Sequence, residues 1–161
     1  MDILINPINE YNWEDIVELT VSESQKEFVA SNAYSLAEAA YTQNSVPLEI
    51  FDGNKAVGFV MYESLAYENK AGEYNIYRLM IDIKFQNKGI GRIALGKTIS
   101  LISAIGGCQK ITICYVSNNS VAKDFYASFG FKEVGVDESG EMIAVINIWS
   151  AWLIVNKIEN L

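Results

Sequence analysis

Gly89 and Gly91 stand where an apolar run gives way to a helix, and that junction is the most chemically suggestive point in the sequence. Ile76 to Ile83 reads as a strand, Lys84-Phe85-Gln86-Asn87-Lys88 breaks it, and Gly89-Ile90-Gly91 leads into apolar residues at helical spacing. The first N–H groups of a helix have no partners within it, and together with the helix dipole they form a site for phosphate or another anion. Glycines there let a ligand approach the backbone closely, because they carry no Cβ. A turn that merely ends a strand has the same three residues, so the surrounding charge has to be weighed. Between Ile83 and Lys123 there is no Asp or Glu, whereas Lys84, Lys88, Arg92, Lys97, Lys110 and Lys123 all fall inside. The whole chain carries −8, so the rest of it carries −14. A basic island in an acidic chain suits a localised anionic ligand.

Gly91 to Thr98 also fits the phosphate-binding pattern G-x-x-x-x-G-K-[ST], in which loop amides wrap phosphates and the hydroxyl holds magnesium. The context argues against it. Arg92-Ile93-Ala94-Leu95 are helix formers or core residues, in phase with Ile90, Lys97 and Leu101, and no later strand ends in an Asp for the metal.

The elements that must position such a site are bounded by composition. A chain of 161 residues, half of them hydrophobic, supports one domain, expected over residues 1–148, followed by an apolar tail over 149–161. No apolar run approaches the roughly 18 residues of a membrane span, and the start lacks a signal peptide's basic head and apolar core, so a cytoplasmic protein is expected, without a membrane partner. Cys108 and Cys114 read as two buried thiols rather than a disulfide or a metal pair. The chain has no histidine, which excludes Ser-His-Asp and Cys-His hydrolases and His-containing zinc sites. Acid–base work falls to Glu, Asp, Tyr, Lys, Cys or water, and no metal is expected. The acidity also argues against nucleic acid as a partner.

Residues 2–8 read as a strand stopped at Pro7, and Asn12 as the cap of a helix from Trp13 to about Thr20. Ser22 to Val29 and Leu36 to Tyr41 suggest further short helices in an acidic region. Its acids form either a solvated face or a rim attracting a cationic substrate. Strands follow over Leu48–Phe51 and Ala56–Tyr62 around Asp52-Gly53-Asn54-Lys55. After the strand and helix of the glycine junction come a strand over Ile111–Val116, a helix over Ser120–Phe129 and a last hairpin, Phe131–Val136 with Glu141–Ile148. The order is β-α-α-β-β-β-α-β-α-β-β. The tail from Trp149 would pack on its own sheet or on a second subunit, which leaves a homodimer through the sheet or the tail open.

Gln86-Asn-Lys-Gly-Ile-Gly91 after an apolar strand, then Asn119-Ser-Val-Ala122 with Phe125-Tyr126 and Phe129-Gly-Phe131, resembles the two signature segments of the GNAT superfamily of acetyl-CoA-dependent N-acetyltransferases. The element order is similar over about residues 1–148. The region with Ser22-Glu-Ser-Gln25, Tyr34-Ser-Leu36 and Ala39 resembles the bacterial branch that acetylates spermidine and spermine. The resemblance implies an α/β (α+β) fold with a central mixed, mostly antiparallel sheet of about seven strands flanked by helices. It implies acetyl-CoA as co-substrate and a small cationic amine, a polyamine, as acceptor.

The resemblance also implies roles. Leu79, Met80 and Ile81 would pair their backbone with the pantetheine arm, and the amides of Asn87, Lys88, Gly89, Ile90, Gly91 and Arg92 would hold the pyrophosphate. Asn119 would contact the pantetheine arm as well as cap its helix. Tyr126 would protonate the departing thiolate, unless it is plain core. Polyamine-acetylating relatives tend to carry a carboxylate two residues before the Leu79-Met80-Ile81 triplet, where this chain has Tyr77. A neutral tyrosine, with an unperturbed pKa of about 10, is a poor base at neutral pH. Glu73 on the same strand face, or Glu63 on the neighbouring strand, would be the substitutes. Other acceptors, namely a protein N-terminus, an amino acid or an antibiotic amine, and a non-catalytic acyl-CoA sensor, remain alternatives.

Overall fold

The computed structural model describes residues 1–148; the apolar tail lies outside them. The described chain runs β1 (Ile3–Pro7), α1 (Trp13–Glu18), α2 (Asn32–Tyr41), β2 (Ser45–Asp52), β3 (Lys55–Ser64), β4 (Glu73–Ile81), α3 (Ile90–Ser103), β5 (Lys110–Val116), α4 (Ser120–Ala127), β6 (Lys132–Val136) and β7 (Glu141–Asn147). The strands lie in the order β1-β2-β3-β4-β5-β7-β6 in a seven-stranded sheet. β4 and β5 pair in parallel, while β1–β2, β2–β3, β5–β7 and β6–β7 are antiparallel. The mixed, mostly antiparallel sheet expected from the sequence is what forms.

The described chain divides into two compact units, one of residues 1–63 with 78–98 and one of residues 64–77 with 99–148. In the first, β3 is apolar along its whole middle because Val57, Phe59, Val60 and Met61 are all buried, on both faces of the strand. Gly58 sits among them for a steric reason: a Cβ there would lie 2.5 Å from the Met80 carbonyl oxygen and 2.8 Å from Ile81 Cδ1. That glycine lets β4 approach at the residues of interest. In α3, Ile90, Ala94 and Leu95 are fully buried. In the second unit, Ile111 and Ile113 of β5, Phe129 and Phe131 after α4, and Ala144 and Ile146 of β7 are buried, the last two on either side of half-buried Val145 by the alternation that a strand imposes.

Two local expectations fail. Asn12 makes no capping hydrogen bond to α1, because its side chain is committed elsewhere. Its Oδ1 accepts from the Asn9 N–H at 2.7 Å, and its Nδ2 donates to Pro7 O at 3.2 Å and to Glu49 Oε2 at 2.9 Å. Ser22–Val29 forms only a 3-10 turn, Glu23–Gln25, at whose start the Gln25 side-chain Oε1 accepts from both the Ser22 N–H and the Ser22 hydroxyl.

Glu49, on β2, is 3% exposed. Burial pushes its carboxyl above the usual range, the hydrogen bond from Asn12 opposes that, and the charge of Asp15 adds to it. A carboxyl whose pKa is raised by folding binds its proton more tightly when folded, so its contribution to stability falls as pH rises from the ordinary carboxylate range through the raised value. Glu49→Gln keeps an acceptor for Asn12 without the charge. Thermal melts at about pH 5 and 7 should show the variant gaining on the wild type as pH rises. An equal or larger loss of stability in the variant at the higher pH would show that the ionised form is the stabilising one.

Candidate functional site

Asp82 opens the turn after β4. Its buried carboxylate accepts from the Thr20 N–H and the Lys84 N–H, each at 2.9 Å, so the turn is pinned at its first residue. Gln86 pins it again. Its Nε2 donates to the Ile81 carbonyl at 2.9 Å and to Gln25 Oε1 at 3.0 Å. Held at both points, the chain takes a left-handed conformation at Asn87 (φ 61°) and at Gly89 (φ 80°), the second of which glycine adopts without penalty. Nothing lies within 4 Å of where a Gly89 Cβ would be, so the turn is open to its surroundings.

Asn87, Lys88 and Gly89 are exposed, and Ile90 is buried as the first residue of α3. The Arg92 N–H closes onto Gly89 O at 3.1 Å. The N–H groups of Gly89, Ile90 and Gly91 find no carbonyl acceptor among the described residues. Lys88 folds back, its Nζ donating to Lys84 O at 2.9 Å and lying 5.3 Å from the Phe85 ring centroid. Free amides, the positive end of a fourteen-residue helix and the adjoining cations Lys84, Lys88 and Arg92 fit a pyrophosphate. The rival magnesium-loop reading fails on geometry. Gly96, Lys97 and Thr98 lie within α3, and the buried Thr98 hydroxyl donates to Ala94 O at 2.9 Å.

Leu79, Met80 and Ile81 end β4, with Met80 buried and its neighbours half-buried. The parallel ladder between β4 and β5 runs from Glu73/Lys110 to Ile76/Ile113, although the strands continue to Ile81 and Val116. Leu79, Met80 and Ile81 lie three to five residues past the last of these pairs, at the end of β4. An extended ligand could pair with the backbone there.

In the second unit, Tyr126 lies on α4 with its ring among aromatics. Phe125, Tyr115 and Phe131 have centroids 5.3, 5.5 and 6.1 Å from it. Burial raises its phenol pKa well above the ordinary tyrosine value, and the neighbouring Tyr115 raises it further. Among the described residues its hydroxyl makes no hydrogen bond. The Tyr115 hydroxyl differs: it donates to Glu133 Oε1 at 2.7 Å, and burial followed by that bond and the Glu133 charge push its pKa up to about 12. Asn119 caps α4, its Oδ1 accepting from the Ala122 N–H at 3.0 Å.

The remaining candidates divide clearly. Glu73 is ion-paired to Lys110 at 2.8 Å, so its carboxylate already has a partner. Glu14, Asp15, Glu18, Glu23 and Glu27 are exposed, and Glu38 pairs with Arg78 at 3.4 Å. Cys108 and Cys114 are free and half-buried, and burial raises the Cys108 pKa, away from a reactive thiolate. No group of three or more His, Cys, Asp or Glu gathers as metal ligands would, and no helix is long and apolar enough to cross a membrane, among the described residues.

The profile of the acetyltransferase (GNAT) family matches residues 13–131. The chain belongs to that family and is an acetyl-CoA-dependent N-acetyltransferase. Within the family it is similar to the spermine/spermidine N(1)-acetyltransferase of Bacillus subtilis (strain 168), with 30% identity over 149 residues, 90% of this chain and 98% of that protein. In fold it is similar to PaiA N-acetyltransferase from Thermoplasma acidophilum in complex with coenzyme A, at a TM-score of 0.69 and 20% identity, covering 91% of this chain and 99% of that one. Spermidine N-acetyltransferase from Vibrio cholerae, in complex with CoA and spermine, gives a TM-score of 0.73 at 14% identity, covering 93% and 98%.

The sequence reading named the turn, the strand end and Tyr126, but missed Tyr115, Glu133, Gln25 and Asp82 as supporting residues. Asp82 alone carried a signal, as an acid directly after an apolar strand.

Proposed function

We propose that this chain transfers the acetyl group of acetyl-CoA to a primary amine of a polyamine by direct attack, with Tyr126 returning a proton to sulfur. The observation that carries the chemistry is the Tyr126 phenol: its ring is held by aromatic neighbours, its proton is retained well above neutral pH, and its hydroxyl is uncommitted. The amides at the start of α3 hold the pyrophosphate, and the backbone of Leu79, Met80 and Ile81 pairs with the pantetheine arm, as does Asn119 while it caps α4. A strand N–H, that of Ile81, polarises the thioester carbonyl. The uncharged amine nitrogen attacks that carbonyl, the C–N bond forms as the C–S bond breaks, the amine's proton leaves to water and Tyr126 supplies the proton to sulfur. Solvent then restores the phenol. Neither a nucleophilic side chain nor a metal enters the scheme.

The acceptor assignment is supported by the names of the bacterial relatives and by the exposed acids of the first forty residues. Such a surface raises the encounter rate of a multiply charged cation and holds its distal ammonium groups, with attraction that fades as salt screens it. Tyr77 in place of an acid leaves deprotonation of the amine to solvent. Activity on spermidine and spermine is therefore expected to rise steeply with pH and to fall with ionic strength. Rates of thiol release on both polyamines and on a singly charged amine, from low to high salt, test this. No turnover of either polyamine, or preference for an uncharged or anionic acceptor, would rule the assignment out.

A further inference from the structure

Around Tyr126 the side chains form a closed circuit that the reaction as described does not use. The Tyr115 ring of β5 lies 5.5 Å from the Tyr126 ring, centroid to centroid. Its hydroxyl donates to Glu133 Oε1 of β6 at 2.7 Å, and Glu133 Oε2 accepts from Lys123 Nζ at 3.0 Å. Lys123 stands on α4 one turn before Tyr126, so the path from Tyr126 through Tyr115 and Glu133 ends on the helix that carries Tyr126. Phe125 and Phe131 also lie against the Tyr126 ring.

The two links differ in weight. The Lys123 and Glu133 side chains are 55% and 33% exposed, and an ion pair so wet contributes little by itself. Tyr115 is 6% exposed and gives its proton to an anion, which makes a strong, directional hydrogen bond. That bond settles which tyrosine is available. Tyr115 has committed its proton to Glu133, while Tyr126 has not committed its own. A phenol ring with no hydrogen bond to fix it can slide along its neighbours, and acid catalysis tolerates little sliding.

We propose that Tyr115 and Glu133 are positioning residues: anchored through Lys123, they fix the ring against which Tyr126 rests and so aim its hydroxyl at the departing sulfur. This rests on the reading of Tyr126 as the acid. Neither residue touches the reacting atoms. Removing the anchor should lower kcat and leave KM for acetyl-CoA unchanged, with a loss of roughly 10- to 100-fold, the scale of a misplacement of about 1 Å.

The test is a double-mutant cycle on kcat under conditions where chemistry limits turnover. Tyr115→Phe keeps the ring and removes only the hydroxyl. It should slow the wild type but cause no further loss in a Tyr126→Phe background, because it acts through the Tyr126 hydroxyl. Should Tyr115→Phe fail to fold, Glu133→Leu repeats the cycle with Tyr115 intact. Wild-type kcat in the folded single variant, or the same fractional loss in both backgrounds, overturns the inference. Wild-type turnover in Tyr126→Phe itself would instead overturn the underlying assignment of the acid, and the inference with it.

Discussion

Tyr126→Phe should lower kcat by roughly 10- to 10,000-fold, the span covered by one positioned general acid, while acetyl-CoA affinity changes little. The replacement keeps the ring, and with it the contacts to Tyr115, Phe125 and Phe131 that fix this end of α4. No protein hydrogen bond is lost, since the hydroxyl makes none among the described residues. Loss of activity would therefore report chemistry rather than packing. The phenol suits the task because burial holds its pKa above the ordinary value, so it stays protonated across the pH range in which an amine acceptor becomes nucleophilic. If the variant turns over at the wild-type rate when chemistry is rate-limiting, Tyr126 is a core residue and the proton comes from solvent.

Gly91→Glu should weaken acetyl-CoA binding by on the order of 100-fold or more, because like charges forced together at a binding surface cost several kcal/mol. The position is chosen so that folding is not the explanation. Gly91 lies in the first turn of α3, outside the positive-φ residues of the chain, and a carboxylate there favours the helix dipole. Replacing glycine also removes a weak helix former. The expected result is a folded protein with an unchanged or higher melting temperature and a poor ligand isotherm. Unchanged acetyl-CoA affinity by calorimetry would place the pyrophosphate elsewhere, and tight magnesium-ATP binding would return the chain to the nucleotide-binding reading.

The glycine junction was legible in the sequence because its physics is local: a strand, a polar break, two glycines and a run without acids specify an exposed turn and a helix start among cations. The Asn119 cap and the hairpin at Gly53 were legible for the same reason. Asn12 was misread because capping competes with long-range partners, and Glu49, thirty-seven positions away, wins its amide. The turn at Glu23–Gln25 stays short because Gln25 serves Ser22 and Gln86, sixty-one positions later. Glu133 reads as a solvated strand residue until the fold brings it to Tyr115, eighteen positions earlier. The boundary of β4 moved to Glu73, where pairing with Lys110 extends the strand past its apolar core.

Acetyl-CoA carrying a labelled acetyl group, incubated with the protein and spermine, tests direct transfer most sharply when thiol release and label are followed together. The account requires one labelled amide on the polyamine for each thiol released, with no label retained on the protein at any stage of turnover. Label held on Cys108 or Cys114 during turnover, or thiol release without acetylated spermine, would contradict it.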